Sequence, residues 1–289
     1  MKDRDEIAQA LAASGYIADS ELATAIALMQ RLRRPLLLEG EAGVGKTEVA
    51  KALASVHATE LIRLQCYEGL DQSSALYEWN YQRQLLAIEA HRGHADTIED
   101  QIFSEKYLLE RPLLSAIRRG KPPVLLIDEI DRADDEFEAF LLELLSDFQV
   151  SIPELGTIKA VSIPHVVLTS NGTRELSDAL RRRCLYHYVD YPDVEREARI
   201  IMARINGASA SLSLQIARMV ECIRKEELRK VPGVAETLDW AAALVGLDVR
   251  DLHEAPETVH ETLMCLLKTQ EDKVRISREV SERILGKVA

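Results

Sequence analysis

"GEAGVGKT", residues 40–47, decides how this chain is read. It fits the spacing G-x-x-x-x-G-K-[ST], and its flanks are the ones that spacing needs. "PLLLEG" (35–40) is a short apolar run bounded by Pro and Gly, a buried strand. "TEVAKALASVHA" (47–58) places Val49, Leu53 and Val56 on one face of a helix. Gly40, Gly43 and Gly45 let the backbone curl, so that the N–H groups of the loop, Glu41, Ala42 and Val44 included, face phosphate oxygens. The helix that opens at Lys46 adds its positive end. Lys46 is placed to reach the β- and γ-phosphates, and the Thr47 hydroxyl to bind Mg²⁺.

Working outward, "LIRLQC" (61–66), "PVLLIDEID" (123–131), "HVVLTSN" (165–171) and "YHYVDYP" (186–192) read as further strands alternating with helical segments. Such alternation predicts a five-stranded parallel sheet covered on both faces. After Pro192 the segments 194–205, 212–230, 235–247 and 258–288 carry helical periodicity alone. An α/β domain over 1–191 followed by a small all-helical domain over 192–289 is expected.

The 289 residues are 47% apolar, enough for two cores, and the formal charge of −12 argues against sequence-independent nucleic-acid binding. Cys66, Cys184, Cys222 and Cys265 form no CxxC pair and read as reduced thiols of a cytoplasmic protein. The charged start "MKDRDEIAQALAAS" lacks a signal peptide's apolar core, and no apolar run approaches the ~18 residues of a membrane span. "HRGH" sets His91 and His94 three apart, which is weak evidence of a metal site.

A phosphate site needs a carboxylate arm for its metal. Asp128 ends an apolar strand at the sheet edge where ligands bind in α/β folds, and Glu129 follows it. The pair divides the work: Asp128 holds Mg²⁺, and Glu129 polarises the attacking water. Asn171, at the end of "HVVLTSN", is suited to orient that water or touch the γ-phosphate. "ALRRRCLYHY" (179–188) sets three arginines in a row in an acidic chain. By themselves they read as a solvated helix end.

The order GEAGVGKT, LLIDEID, VVLTSN, Arg cluster, helical domain resembles the AAA+ ATPases, P-loop enzymes with an αβα sandwich and a helical lid. "LLIDEIDRADDEFEAFLLELLSDFQVSIPELG" and "LTSNGTRELSDALRRRC" are most similar to the MoxR family. "LIRLQCYEGLDQSSALYEWNYQRQLL" resembles the CoxD type, an accessory ATPase in maturation of the molybdenum–copper centre of carbon monoxide dehydrogenase. The likeness covers most of residues 14–250. It implies ATP and Mg²⁺ as ligands, a ring homo-oligomer, usually a hexamer, a von Willebrand A-domain partner and a metalloenzyme client. It also implies that an arginine of one subunit serves the γ-phosphate of the next. Arg183 aligns with that finger, with Cys184 in place of the family's Phe, and Arg182 is the second candidate. "YIADSEL" resembles the segment that packs on adenine, making Tyr16, Ile17 and Ala18 candidates. The lid arginine of the family is missing: "PGVAETLDW" carries Glu236 and Thr237 at its place.

The resemblance also places an insert in the second helix, about 67–100, and a hairpin at about 148–163. Tyr77, Trp79 and Tyr81 alternate with Glu78 and Asn80, which fits either an exposed hairpin edge that meets a partner or the insert's own small core. Two rival functions are a P-loop switch or small-molecule kinase, against which stands the absence of NKxD, and a DNA-directed motor. The latter would need a basic face.

Overall fold

Leu36–Glu39 (β1), Leu61–Gln65 (β2), Val124–Asp128 (β5), His165–Ser170 (β8) and Leu185–Tyr188 (β9) form one sheet in the order β2-β5-β8-β1-β9, with every pairing parallel. The computed structural model describes residues 2–90 and 102–288. His91, His94 and the end of the expected insert lie outside the described residues.

The interior strand β5, "VLLID", is buried along its whole length, as a strand covered on both faces must be. Truncating one of its leucines would cost about 2–5 kcal/mol. The last strand stops at Tyr188, four residues before the Pro192 expected from the sequence, because its partner β1 ends at Glu39, opposite Tyr188, and then turns into the glycine loop.

Two compact units result. The first comprises residues 1–7, 20–39 and 47–188, and the second 8–19, 40–46 and 189–289. Two short N-terminal segments thus join the helical unit, which a linear cut near residue 191 does not separate. Its helices Val194–Arg204, Ala210–Arg224 and Val234–Gly246 surround Trp240, which is fully buried. Asp193 and Ser209 cap the first two by accepting from the amides of Arg196 and Leu212. Across those helices, Arg224 pairs with the buried Glu197 at 2.7 Å, donates to Pro232 O at 2.9 Å and stacks on Tyr191.

Within the first unit, Gln149–Ile152 (β6) and Gly156–Lys159 (β7) form an antiparallel hairpin inside the span 148–163. Tyr77–Trp79 (β3) pairs antiparallel with Leu108–Glu110 (β4). Trp79 is only 6% exposed and meets Phe103 and Tyr77 edge-on. Its ring belongs to the core of this unit, and the alternation ends there because Asn80 accepts from the Arg83 amide and opens the helix Tyr81–Ala90. Tyr81, on that helix, is exposed. Among the described residues no helix is long and apolar enough to cross a membrane.

Candidate active site

Parallel strands bring their C-terminal ends to one edge of the sheet, and Asp128 is the last residue of β5. The residue is only 3% exposed. Oδ1 accepts from the Thr169 hydroxyl on β8 at 2.5 Å and from the Thr47 hydroxyl at 3.1 Å. Oδ2 accepts from Nε and Nη2 of Arg63, on the neighbouring β2, at 3.0 and 2.6 Å. Glu129 sits in the left-handed region, φ 55° and ψ 52°. That conformation costs a non-glycine residue about 1–2 kcal/mol and marks a position held by its surroundings. Its amide donates to Thr169 Oγ1 at 2.9 Å, while its carboxylate accepts from Gln65 Nε2 and Arg132 Nη1, both at 3.0 Å. Beneath the pair, Cys66 is buried. Burial first, then the charges of Asp128, Asp131 and Glu129, push its thiol up to about 12, so it stays protonated.

In the second unit, the glycine loop 40–46 leans on backbone. A Cβ at Gly40 would lie 2.2 Å from the Val189 carbonyl oxygen. Gly43, at φ +82°, packs on Gly233, and the Val234 amide donates to Gly43 O at 2.9 Å. Lys46 is 6% exposed, and its Nζ donates to the carbonyls of Gly40 and Glu41, both at 2.7 Å. Glu236, standing where the lid arginine was sought, accepts from the Gly233 amide at 3.1 Å. Tyr16 is buried, with Ile17 and Ala18 half-buried; Arg196 donates to Ile17 O at 3.0 Å and pairs with Asp19 at 2.7 Å, which fixes this segment.

Asn171 follows β8 directly and is half-buried. The loop after it is anchored by Asp131, which accepts from the Thr173 amide and hydroxyl at 3.0 and 2.6 Å. Burial alone would raise the Asp131 carboxyl, but the bonds from Thr173 and from the Asn171 amide outweigh it and leave it lowered. The same loop is tied to the helix Asp135–Asp147 by Arg174, paired with the buried Glu138.

The helix Asp178–Arg183, capped by Ser177, carries the three arginines. They differ in what they touch. Arg181 pairs with Glu39 at 3.3 Å. Arg183 donates to Ser146 Oγ and, at 3.0 Å, to Ala179 O. The side chain of Arg182 is exposed, and its guanidinium has no hydrogen-bond or ion-pair partner among the described residues. The carbonyls of Arg182 and Arg183 both accept from Arg34, which pins the helix end.

Residues 35–184 match the family model for the AAA domain of the dynein-related subfamily. That span is more than half of the chain. This chain is an AAA domain protein of the dynein-related subfamily. It is 30% identical over 258 residues to an uncharacterized protein of Staphylococcus aureus strain bovine RF122 / ET3-1, covering 86% of this chain and 87% of the relative. A second uncharacterized protein, from Staphylococcus aureus strain NCTC 8325 / PS 47, is 29% identical over the same shares.

The dynein-related AAA subfamily includes MoxR-like ATPases, and AAA domains are nucleotide-binding modules that typically assemble as rings. The donor set fits the metal such a domain uses. Mg²⁺ prefers hard oxygen ligands and takes one or two carboxylates beside phosphate oxygens, and here the hydroxyl of Thr47 and the carboxylate of Asp128 stand within hydrogen-bond distance. Sequence reasoning did not reach Arg63, Gln65, Thr169 or Asp131 of this AAA domain. For Arg63 and Gln65 a signal existed: polar residues two apart in a strand share one face.

Proposed function

We propose that this AAA domain protein is a Mg²⁺-dependent ATPase whose hydrolysis drives remodelling of a client protein within a ring of like subunits. The observation that carries this is the constellation at the end of β5: Thr47 on Asp128, with Glu129 beside it in a held left-handed conformation. The glycine loop with Gly40, Glu41, Ala42, Gly43, Val44, Gly45 and Lys46 binds the phosphates through its amides and the Lys46 ammonium. Thr47 and Asp128 hold the metal, which when bound supplies positive charge to the phosphate oxygens. Glu129 takes the proton of the attacking water, and its hydrogen bonds from Gln65 and Arg132 orient the carboxylate. Asn171 positions that water. Tyr16, Ile17 and Ala18 contact the adenine.

Arg182 is offered to the neighbouring subunit. Arg183, favoured from the alignment of "RRRC", has its guanidinium engaged within its own chain, whereas that of Arg182 has no partner among the described residues. An arginine acting across an interface stabilises charge that develops during phosphoryl transfer. The finer reading is that of a MoxR-type, CoxD-like accessory ATPase in metalloenzyme maturation, working with a von Willebrand A-domain partner. It is supported by "LIRLQCYEGLDQSSALYEWNYQRQLL".

The test is Glu129→Gln. It should bind Mg·ATP with near-normal affinity and hydrolyse it on the order of 10²-fold or more slowly, because water activation is lost while the metal ligands remain. Turnover near that of the wild type would remove Glu129 from its role. The same variant, loaded with ATP and used as bait, should retain the client and a von Willebrand A-domain protein, read by mass spectrometry. Capture of neither would sink the maturation reading and leave the ATPase reading standing.

A further inference from the structure

Asp128, the metal carboxylate, already carries a cation. Each of its oxygens has at least two donors: Thr169 and Thr47 on Oδ1, and Nε and Nη2 of Arg63 on Oδ2, which the Thr47 hydroxyl also approaches at 3.4 Å. A carboxylate offers about four lone-pair sites, so all are engaged. Any ion that arrives must move a donor aside. Thr47 need not leave, since its oxygen is itself a ligand, and Thr169 is 1% exposed. Arg63 differs from both: its side chain is 51% exposed and stands on a long stem.

We propose that Arg63 is a displaceable counter-cation on the metal carboxylate, so that Mg²⁺ enters by exchange with a guanidinium rather than by simple addition. This rests on the ATPase reading above. The physical reason for such a residue is the burial of Asp128. A carboxylate removed from water without a partner charge is costly, and Arg63 covers that cost while no metal is bound. Parallel pairing of β2 with β5 sets Gln65 opposite Asp128 and Arg63 two residues earlier on the same face. Arg63 Nη2 also donates to Gln65 Oε1 at 2.5 Å, and Gln65 in turn holds Glu129 at 3.0 Å. Asp128, Arg63, Gln65 and Glu129 therefore form one chain of bonds. Withdrawal of Arg63 from Asp128 frees Gln65 to re-aim, and Glu129 with it, so metal entry and orientation of the general base are coupled.

The experiment is a titration of a fluorescent ATP analogue on the full chain, with EDTA and over a range of free Mg²⁺, for the wild type, Arg63→Gln and Arg63→Lys. Arg63→Gln should lower the free Mg²⁺ needed for half-maximal response about three- to tenfold, the worth of one half-exposed ion pair. It should also weaken binding in EDTA, because a bare Asp128 repels phosphate. Arg63→Lys keeps the charge without the fork and should fall between the two. Structural damage would weaken binding in both conditions and cannot produce these opposite signs. A Mg²⁺ midpoint that is unmoved or raised in Arg63→Gln, with an unchanged thermal transition, overturns the proposal. If Arg63→Gln does not fold, an unmoved midpoint in Arg63→Lys overturns it. Absence of binding by the wild type itself removes the ATPase reading, and this inference with it.

Discussion

At the scale of single residues, the three consecutive arginines show how neighbours in sequence acquire different roles. Successive helical residues point about 100° apart, so one side chain meets Glu39, one faces outward and one folds back on Ser146 and Ala179. Arg182→Ala should lose on the order of 10³-fold in ATP hydrolysis while ATP affinity stays near normal, because a finger acts on the transition state. Arg183→Ala should be milder for hydrolysis and should lower the thermal transition, since it removes bonds that hold its own helix. Mixing tests action across subunits. Arg182→Ala has an intact pocket and Lys46→Ala an intact finger, so rings shown by light scattering to contain both should regain activity that neither has alone. No recovery in such rings would return "ALRRRC" to a solvated helix end.

At the scale of elements, the β3–β4 pair and the helix Tyr81–Ala90 explain why an aromatic alternation did not make an exposed edge. A two-stranded sheet is marginal in water and needs a packed face, and Trp79 between Tyr77 and Phe103 supplies it. Trp79→Ala should therefore destabilise the chain by about 3–5 kcal/mol in urea unfolding, the cost of a large-to-small change in a core. A variant with wild-type stability and impaired partner binding would restore the recognition role. Tyr81, Leu85, Leu86 and Ile88 are exposed apolar side chains of this helix.

At the scale of the molecule, pH acts through groups far apart in the chain. His57 and His165 stack at 4.6 Å between ring centroids. Burial lowers both below the ordinary value, with Lys121 adding to the effect on His57 and His57 to that on His165. The unfolded chain then binds protons near pH ~6.5 that the folded chain refuses. Stability is fully present above that pH and falls as the medium is acidified through it. The urea midpoint should drop between about pH 7 and 5, and the drop should shrink in His165→Gln. A midpoint flat over that range would mean the pair is protonated when folded. Asp131, with its lowered carboxyl, contributes stability that is lost only as pH falls below the ordinary carboxylate range.

What the sequence determined by itself was local. The glycine loop, the buried run ending at Asp128 and Glu129, and the order of strands and helices rest on spacing and periodicity within a few residues. So does the phosphate reading of residues 40–47, because amides and a helix end adjacent in the chain act together. The tertiary structure alone decided which groups meet across long separations. Arg63 lies 65 positions from Asp128, and only the parallel register of β2 on β5 places its guanidinium on that carboxylate. Arg34 reaches the carbonyls of Arg182 and Arg183 from 148 and 149 positions away. Likewise the second unit gathers residues 8–19 and 40–46 because Arg196 holds Ile17 and Asp19, and Gly233 packs on Gly43. Charge and shape complementarity between distant segments leave no periodic trace in a single chain, so the partner of Asp128 and which of the three arginines faces outward could be read only from the fold.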